Sequence, residues 1–370
     1  MKRKLLYLLL SLAVLTIWGY GNYYGQYAKS NFSSVSVRMQ EASITKQDIL
    51  TALVNEEIKG TKDIPEVTAW KQLEDQSFEY PELATTASLS VIEFWGDMTQ
   101  IMPIKLVIGS IMTSEDDTGC IIDENAAYRL FRTREAVGRV LTYQSQSYCI
   151  RGVIQAKEEV VILPITVDEN HYSNLELVYD NKESGKQYAL DFMQQNGLGE
   201  DYAIVEGCYY AKLIQMSSIL PLWVLGIFLL YKLFSEGRKM RMGSLQKQTQ
   251  KLEDIKIQKE SLMIYLKRKR LLDKIVFSII FTFTVFLLLR LMTEFMIVLP
   301  ERCIPTRWSD FSFYTKRFNE FREQLLTMKY ISPVTKDILM FQAIKRCATF
   351  NLIASVATVI LVTHRKVKMA

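Results

Sequence analysis

Few residues in this 370-residue sequence have the types and spacing for chemistry. Glu115-Asp116-Asp117 and Asp123-Glu124 offer hard oxygen ligands to a cation, although an acidic turn can equally be just solvated. His171 and His364 are too few and too far apart for a His-rich metal centre. The cysteines at 120, 149, 208, 303 and 347 form no C-x-x-C pair. Cys120 and Cys149 lie in apolar strands and read as buried small hydrophobes, with a disulfide among the four outer cysteines as the alternative. No G-x-x-x-x-G-K-[ST] loop occurs, so the chain has no usual P-loop means of hydrolysing ATP alone. No Ser/His/Asp set is readable. The expectation is a protein that is not an enzyme, with no catalytic residue, bound metal or cofactor.

One pair of ionisable residues falls inside an apolar run. Arg290 and Glu294 are four apart, hence on one helical face, where they can neutralise each other. They read as a polar seam between protomers, or as a pair close enough to the outer interface to snorkel.

Four apolar runs set the architecture. Leu5–Trp18 follows Lys2-Arg3-Lys4 and lacks small residues at a cleavage site, so it reads as an uncleaved anchor rather than a removed signal. Ile214–Phe234 and Ile275–Val298 are long enough to cross about 30 Å of hydrocarbon, and Cys347–Val362 is the shortest run. Residues 232–274 carry 13 Lys/Arg against 5 Asp/Glu, whereas residues 21–213 carry 16 basic against 29 acidic. Basic juxtamembrane segments stay cytoplasmic, which puts both termini and the basic loop inside. The net charge of +5 therefore hides two opposite halves and does not argue for nucleic acid.

The sequence thus predicts an α+β membrane protein of the cell membrane: four transmembrane helices, with a large α/β extracytoplasmic domain inserted between the first two. Its parts are a first transmembrane helix (1–20), the outer domain (21–213), a second helix (214–234), a cytoplasmic amphipathic loop (235–274), a third helix (275–298), an outer aromatic loop (299–346), a fourth helix (347–363) and a cytoplasmic tail (364–370).

Within the outer domain, Ser34–Met39 alternates as a strand. Thr45 and Asp48 form a capping box before Ile49, Leu50, Leu53, Val54 and Ile58. Strands are predicted from Pro65 to Trp70, at Val91–Phe94, at Lys105–Ile108 ending on Gly109, and at Cys120–Ile122. Asp123 or Asn125 can cap a helix over Ala126–Phe131, with Ala127, Leu130 and Phe131 at helical spacing. A hairpin follows Gly138, with Leu141 and Tyr143 facing Tyr148 and Ile150 across a turn at Gln144-Ser145-Gln146-Ser147, closed by Gly152-Val153. Val160–Val167, Leu175–Tyr179 and Tyr202–Val205 read as further strands, and Lys186–Asn196 as a helix stopped by Gly197.

The ordered series Gly109, Glu115-Asp116-Asp117, Ile121-Ile122, Ala127…Leu130-Phe131, Ala136-Val137-Gly138-Arg139 and Tyr148-Cys149-Ile150-Arg151-Gly152-Val153 resembles the extracytoplasmic core of the MacB/FtsX-type ABC transporter permeases. The resemblance implies a MacB-core-like outer domain on a permease-like subunit. Such a subunit would carry motion from a separate ABC ATPase, held in trans, to the outer domain, for export or envelope mechanotransmission. It further implies a homodimer, or a heterodimer with a second permease. The chain departs from the family's R-x-x-E-I-G step, reading Ser235-Glu236-Gly237-Arg238-Lys239-Met240-Arg241-Met242-Gly243 there. A non-transporting membrane-anchored scaffold or sensor that keeps the outer fold is the second reading.

Two loops bear on partners. Leu245, Leu252, Ile255 and Leu262 form an apolar stripe that would lie on the bilayer or enter a groove on a partner, unless the loop simply extends the two spans as a solvated helical hairpin. Trp308, Phe311, Phe313, Tyr314, Phe318 and Phe321 in the outer loop suit packing on the outer domain or on the membrane surface.

Overall fold

The computed structural model describes residues 2–112, 116–156, 158–165, 170–180, 185–199, 201–232, 235, 282–283, 285–286, 290, 305, 307, 309–330 and 334–367. The chain divides into two compact units. One joins Tyr24–Leu213 with Leu299–Lys345; the other joins Met1–Tyr23, Ile214–Val298 and Arg346–Ala370.

Among the described residues, the first unit is built on twelve strands: β1 (Val35–Met39), β2 (Ile44–Thr45), β3 (Glu66–Tyr80), β4 (Thr85–Trp95), β5 (Leu106–Gly109), β6 (Gly119–Asp123), β7 (Val140–Tyr143), β8 (Gln146–Ile154), β9 (Val160–Pro164), β10 (His171–Tyr172), β11 (Asn174–Val178) and β12 (Tyr202–Glu206). Its main sheet runs β12-β1-β11-β3-β4-β9-β6-β8-β5, and β7 bridges β3 and β8. That bridge closes β3, β4, β9, β6, β8 and β7 into a ring. Most pairs are antiparallel, while β4–β9 and β6–β8 are parallel.

Period-two alternation sorts the strands onto distinct cores. Val91, Ile122, Val153 and Val161 face one cluster, joined by Ala126, Ala127, Leu130 and Phe131 of α3 (Glu124–Phe131). Their neighbours Ile92, Ile121, Ile154 and Ile162 face another, around Trp70, Met98 and Ile101. A third cluster packs the Val35, Val37 and Met39 face of β1 and Leu175 and Leu177 of β11 under α2 (Lys46–Lys59) and α4 (Gly185–Gln195).

Local signals explain the element ends. The Thr45 hydroxyl accepts from the Asp48 amide, and the Asp48 carboxylate accepts from the Thr45 amide, completing the capping box of α2. Asp123 caps α3 and also accepts from the Ala156 amide. Asn125 lies inside that helix rather than capping it. The hairpin turn is tighter than its sequence suggests. Gln146 already pairs with Tyr143, and Gln144 and Ser145 take the positive φ values of a two-residue turn.

The apolar residues of α2 divide. Ile49 and Ala52 are buried, whereas Leu50, Val54 and Ile58 face out, because the five predicted apolar positions span more than one helical face. α5 (Gly207–Ser217) begins in this unit, and α6 (Phe311–Tyr330) lies within it.

In the second unit, α1 (Lys2–Asn31) is a single helix of 30 residues that begins there, so the predicted anchor continues past residue 20. Leu5, Leu8, Leu12 and Leu15 of α1 are exposed. Residues 220–232 are helical, and α7 (Thr335–Val367) ends in this unit. Among the described residues, two stretches are apolar and long enough to cross a membrane, Tyr209–Lys232 and Thr335–Leu361.

Candidate functional site: a buried charge cluster

Strands β1 and β11 each carry a polar face opposite their apolar one. Their antiparallel register sets Ser36 against Glu176 and Arg38 against Asn174. Arg38 and Glu176 are both buried, and their side chains pair at 2.9 Å. The first turn of α7 supplies the opposite charges. Asp337 receives two bonds from Arg38, Nε and Nη2 each at 2.9 Å, the fork geometry that suits guanidinium to carboxylate. Lys336 Nζ reaches Glu176 Oε2 at 2.6 Å and Ser34 Oγ at 2.9 Å, and also donates to the Gln100 carbonyl.

Glu176 is the hub. It accepts from Ser34 at 2.8 Å, Ser36 at 2.6 Å and the Trp70 indole at 3.3 Å, beside its two cations. The Trp70 ring also lies 5.3 Å from the Arg38 guanidinium carbon. Two cations face two carboxylates, so the cluster is neutral as a whole. Burial alone would raise the Glu176 pKa, but Arg38 and Lys336 outweigh it and push the value down to about 2. Burial likewise works against the Arg38 charge, and Asp337 with Glu176 reverses this and raises its pKa.

The Thr335 hydroxyl adds hydrogen bonds to Gln72 and to the Glu158 carboxylate, and Val334 packs against the Trp70 cluster. A buried ion-pair network contributes little net stability over apolar packing but penalises heavily the loss of one member. Its yield is positional: the first turn of α7 has one seat on the sheet.

The second unit has its own polar cluster. Asn351 of α7 is fully buried and donates to Ser217 and Ser218, both at 3.1 Å, and to Cys347 Sγ at 3.3 Å. The Trp18 indole donates to the Ser218 carbonyl at 2.8 Å. Asn351 Oδ1 sits over Gly21, where an added Cβ would lie 2.3 Å away. Gly21 therefore permits a close helix approach that any side chain would block.

The residues singled out by type and spacing have structural roles or lie elsewhere. Asp116 is bound by Arg151 at 2.7 and 3.2 Å, which holds its pKa below the usual carboxylate range. Asp123 caps α3, Glu124 faces Arg134, and Glu115 lies outside the described residues. Among the described residues no three His, Cys, Asp or Glu side chains are grouped as a metal site. Cys120 is a buried free thiol, and Cys149 and Cys347 are also free. Leu245, Leu252, Ile255, Leu262 and Glu294 lie outside the described residues, and with Glu294 so does the expected Arg290–Glu294 pair. Arg38, Glu176, Lys336 and Asp337 belong to no sequence motif; their one signal is the alternation that puts charge on a single face of Val35–Met39 and of Asn174–Val178.

Residues 11–189 match the sequence profile of a family described as the MacB-like periplasmic core domain. The sequence matches none of the curated proteins. Among solved structures, the chain is similar to the extracellular domain of the noncanonic ABC-type transporter YknZ from Gram-positive bacteria, at 18% identity and a TM-score of 0.37, covering 46% of this chain and 99% of that one. It is also similar to the periplasmic region of MacB from Actinobacillus actinomycetemcomitans, at 12% identity and a TM-score of 0.39, covering 48% of this chain and 90% of that one.

Proposed function

From the premise that this chain is a MacB/FtsX-type ABC transporter permease with a MacB-like periplasmic core domain, we propose that it works as the permease-like subunit coupled to a separate ATPase. It transmits the motion of that ATPase to the outer domain, for export or for work on an envelope partner. It spans the cell membrane four times, with both termini inside, as a homodimer or a heterodimer with a second permease. The observation that supports the transmission is the placement of Lys336 and Asp337. They begin a continuous helix, Thr335–Val367, whose apolar stretch is long enough to cross a membrane, and they are fixed by charge to β1 and β11. A displacement along that helix has to be taken up by the sheet, because the cluster cannot open without stranding buried charge.

The grip on the ATPase falls to the stripe Leu245, Leu252, Ile255 and Leu262, since no other inner segment of the predicted topology is long enough. Replacing Leu252 and Ile255 with Asp puts two charges into that contact, each costly to bury unpaired. In pull-downs from native membranes, the parent chain should recover an ATPase and the variant should not. Equal recovery of an ATPase by both removes this grip. Recovery by neither favours the reading of a non-transporting scaffold or sensor that retains the outer fold.

A further inference from the structure

We propose that α6 is an interfacial helix that lies on an anionic lipid surface. Phe311, Tyr314, Phe318, Phe321, Leu325 and Met328 recur along it at alternating steps of three and four, the spacing of one narrow helical stripe. Tyr314 and Phe318, on this stripe, are 44% and 66% exposed. Two large aromatics at that exposure, one turn apart, are a costly surface to leave in water.

The charges around the stripe point to the occupant. At 3.6 residues per turn, Arg317 and Arg322 fall about 70° to either side of its centre, and both are exposed. Glu320 and Glu323 fall on the far side, together with Lys316. Arg317 pairs with Glu320 at 2.7 Å, and Arg322 borders the stripe as a second cation; an apolar stripe with such a basic border matches the boundary between acyl chains and anionic headgroups. The aromatic content suits the same depth, where Tyr and Trp concentrate. Pairing with a second copy of α6 would instead set Arg317 and Arg322 against the arginines of the other helix, which opposes it. Chain continuity agrees: twelve residues separate α6 from the apolar run ending at Val298, and four separate it from the apolar helix beginning at Thr335. The proposal builds on the reading that residues 299–346 join two membrane spans.

The test uses the full chain in nanodiscs of phosphatidylcholine with one quarter phosphatidylglycerol. A photo-crosslinking benzoylphenylalanine replaces Phe318, Tyr314 or, as the far-side control, Glu323. Lipid adducts at Phe318 and Tyr314 should exceed those at Glu323 by about fivefold or more. Adding Arg317→Glu and Arg322→Glu should reduce the yield to the level found in phosphatidylcholine alone. Equal yields at all three positions, or crosslinking of Phe318 to a second copy, overturn the proposal. Surface labelling of Arg322→Cys separates the two readings. Labelling from outside together with no lipid adduct removes only the lipid contact. Labelling solely after permeabilisation removes the outer placement, while a lipid adduct still upholds the contact.

Discussion

Arg38 and Asp337, 299 positions apart, are joined by two hydrogen bonds of 2.9 Å in a buried, neutral cluster. The attachment of α7 to the outer sheet thus rests on charge that has been removed from water. Such an attachment resists gradual loosening. Either all members are satisfied, or a buried ion is left without its partner, and this makes a firm mechanical joint of a contact that few atoms form.

The joint predicts a specific pattern of mutant stability. Asp337→Ala leaves Arg38 and Lys336 sharing Glu176, with one uncompensated buried cation, and should cost about 3–5 kcal/mol. Arg38→Met with Asp337→Leu leaves the Glu176–Lys336 pair neutral and should cost well below the sum of the two single changes. Thermal unfolding in detergent of the parent, Asp337→Ala, Arg38→Met, Asp337→Leu and the double variant checks this. Additive losses would show that Arg38 and Asp337 do not act as a pair.

The Glu176 carboxylate also sets an acid limit. Its pKa falls from 4.5 to about 2 in the fold, so the unfolded chain binds the proton first as pH drops. The stabilisation is complete above pH 4.5 and is lost as pH falls from there towards 2. Glu176→Gln should lower stability at neutral pH and flatten the pH dependence in that window. An unchanged acid profile in this variant would assign the acid sensitivity to other carboxylates.

Gly21 and Asn351 make a second, independent prediction. Gly21→Ala places a methyl carbon 2.3 Å from Asn351 Oδ1 and should cost about 1–3 kcal/mol through overpacking. Asn351→Ala clears that space, and Ser217 keeps its bond to the Ile214 carbonyl at 2.6 Å. The double variant should therefore unfold at a higher temperature than Gly21→Ala alone. No recovery would mean that Gly21 is constrained by something other than Asn351.

Membrane orientation is checked by single-cysteine labelling with an impermeant reagent. Cysteines at Gln155 and Arg322 should react in intact cells, and those at Lys251 and Lys368 only after permeabilisation. The expectation comes from the excess of Lys and Arg in residues 232–274 and of Asp and Glu in residues 21–213. Outside reaction at Lys251 would overturn the four-span arrangement.

The sequence by itself determined what short-range physics controls. The capping box of Thr45 and Asp48 and the β-branched run of the strands around Ile121 and Ile162 are set by neighbours a few residues away, whereas the choice of Asp123 over Asn125 as cap and the two-residue turn after Tyr143 came from the structure. The ordered strands and turns from Gly109 to Val153 carried the resemblance to the MacB-like periplasmic core domain. Boundaries shifted where pairing decides them: β9 stops at Pro164 and β3 runs on to Tyr80. Only the tertiary structure decided the charge cluster. Alternation marks Ser36, Arg38, Asn174 and Glu176 as polar positions, and a polar strand face is ordinarily left to water. Whether it is buried depends on what covers it, and the cover is Lys336 and Asp337, which follow Glu176 by 160 residues and Arg38 by 299. Asn351 over Gly21 is the same case, since neither residue carries a local signal and their meaning arises only where two distant helices touch. Local propensity is written in adjacent residues, but burial of charge is a property of the whole fold.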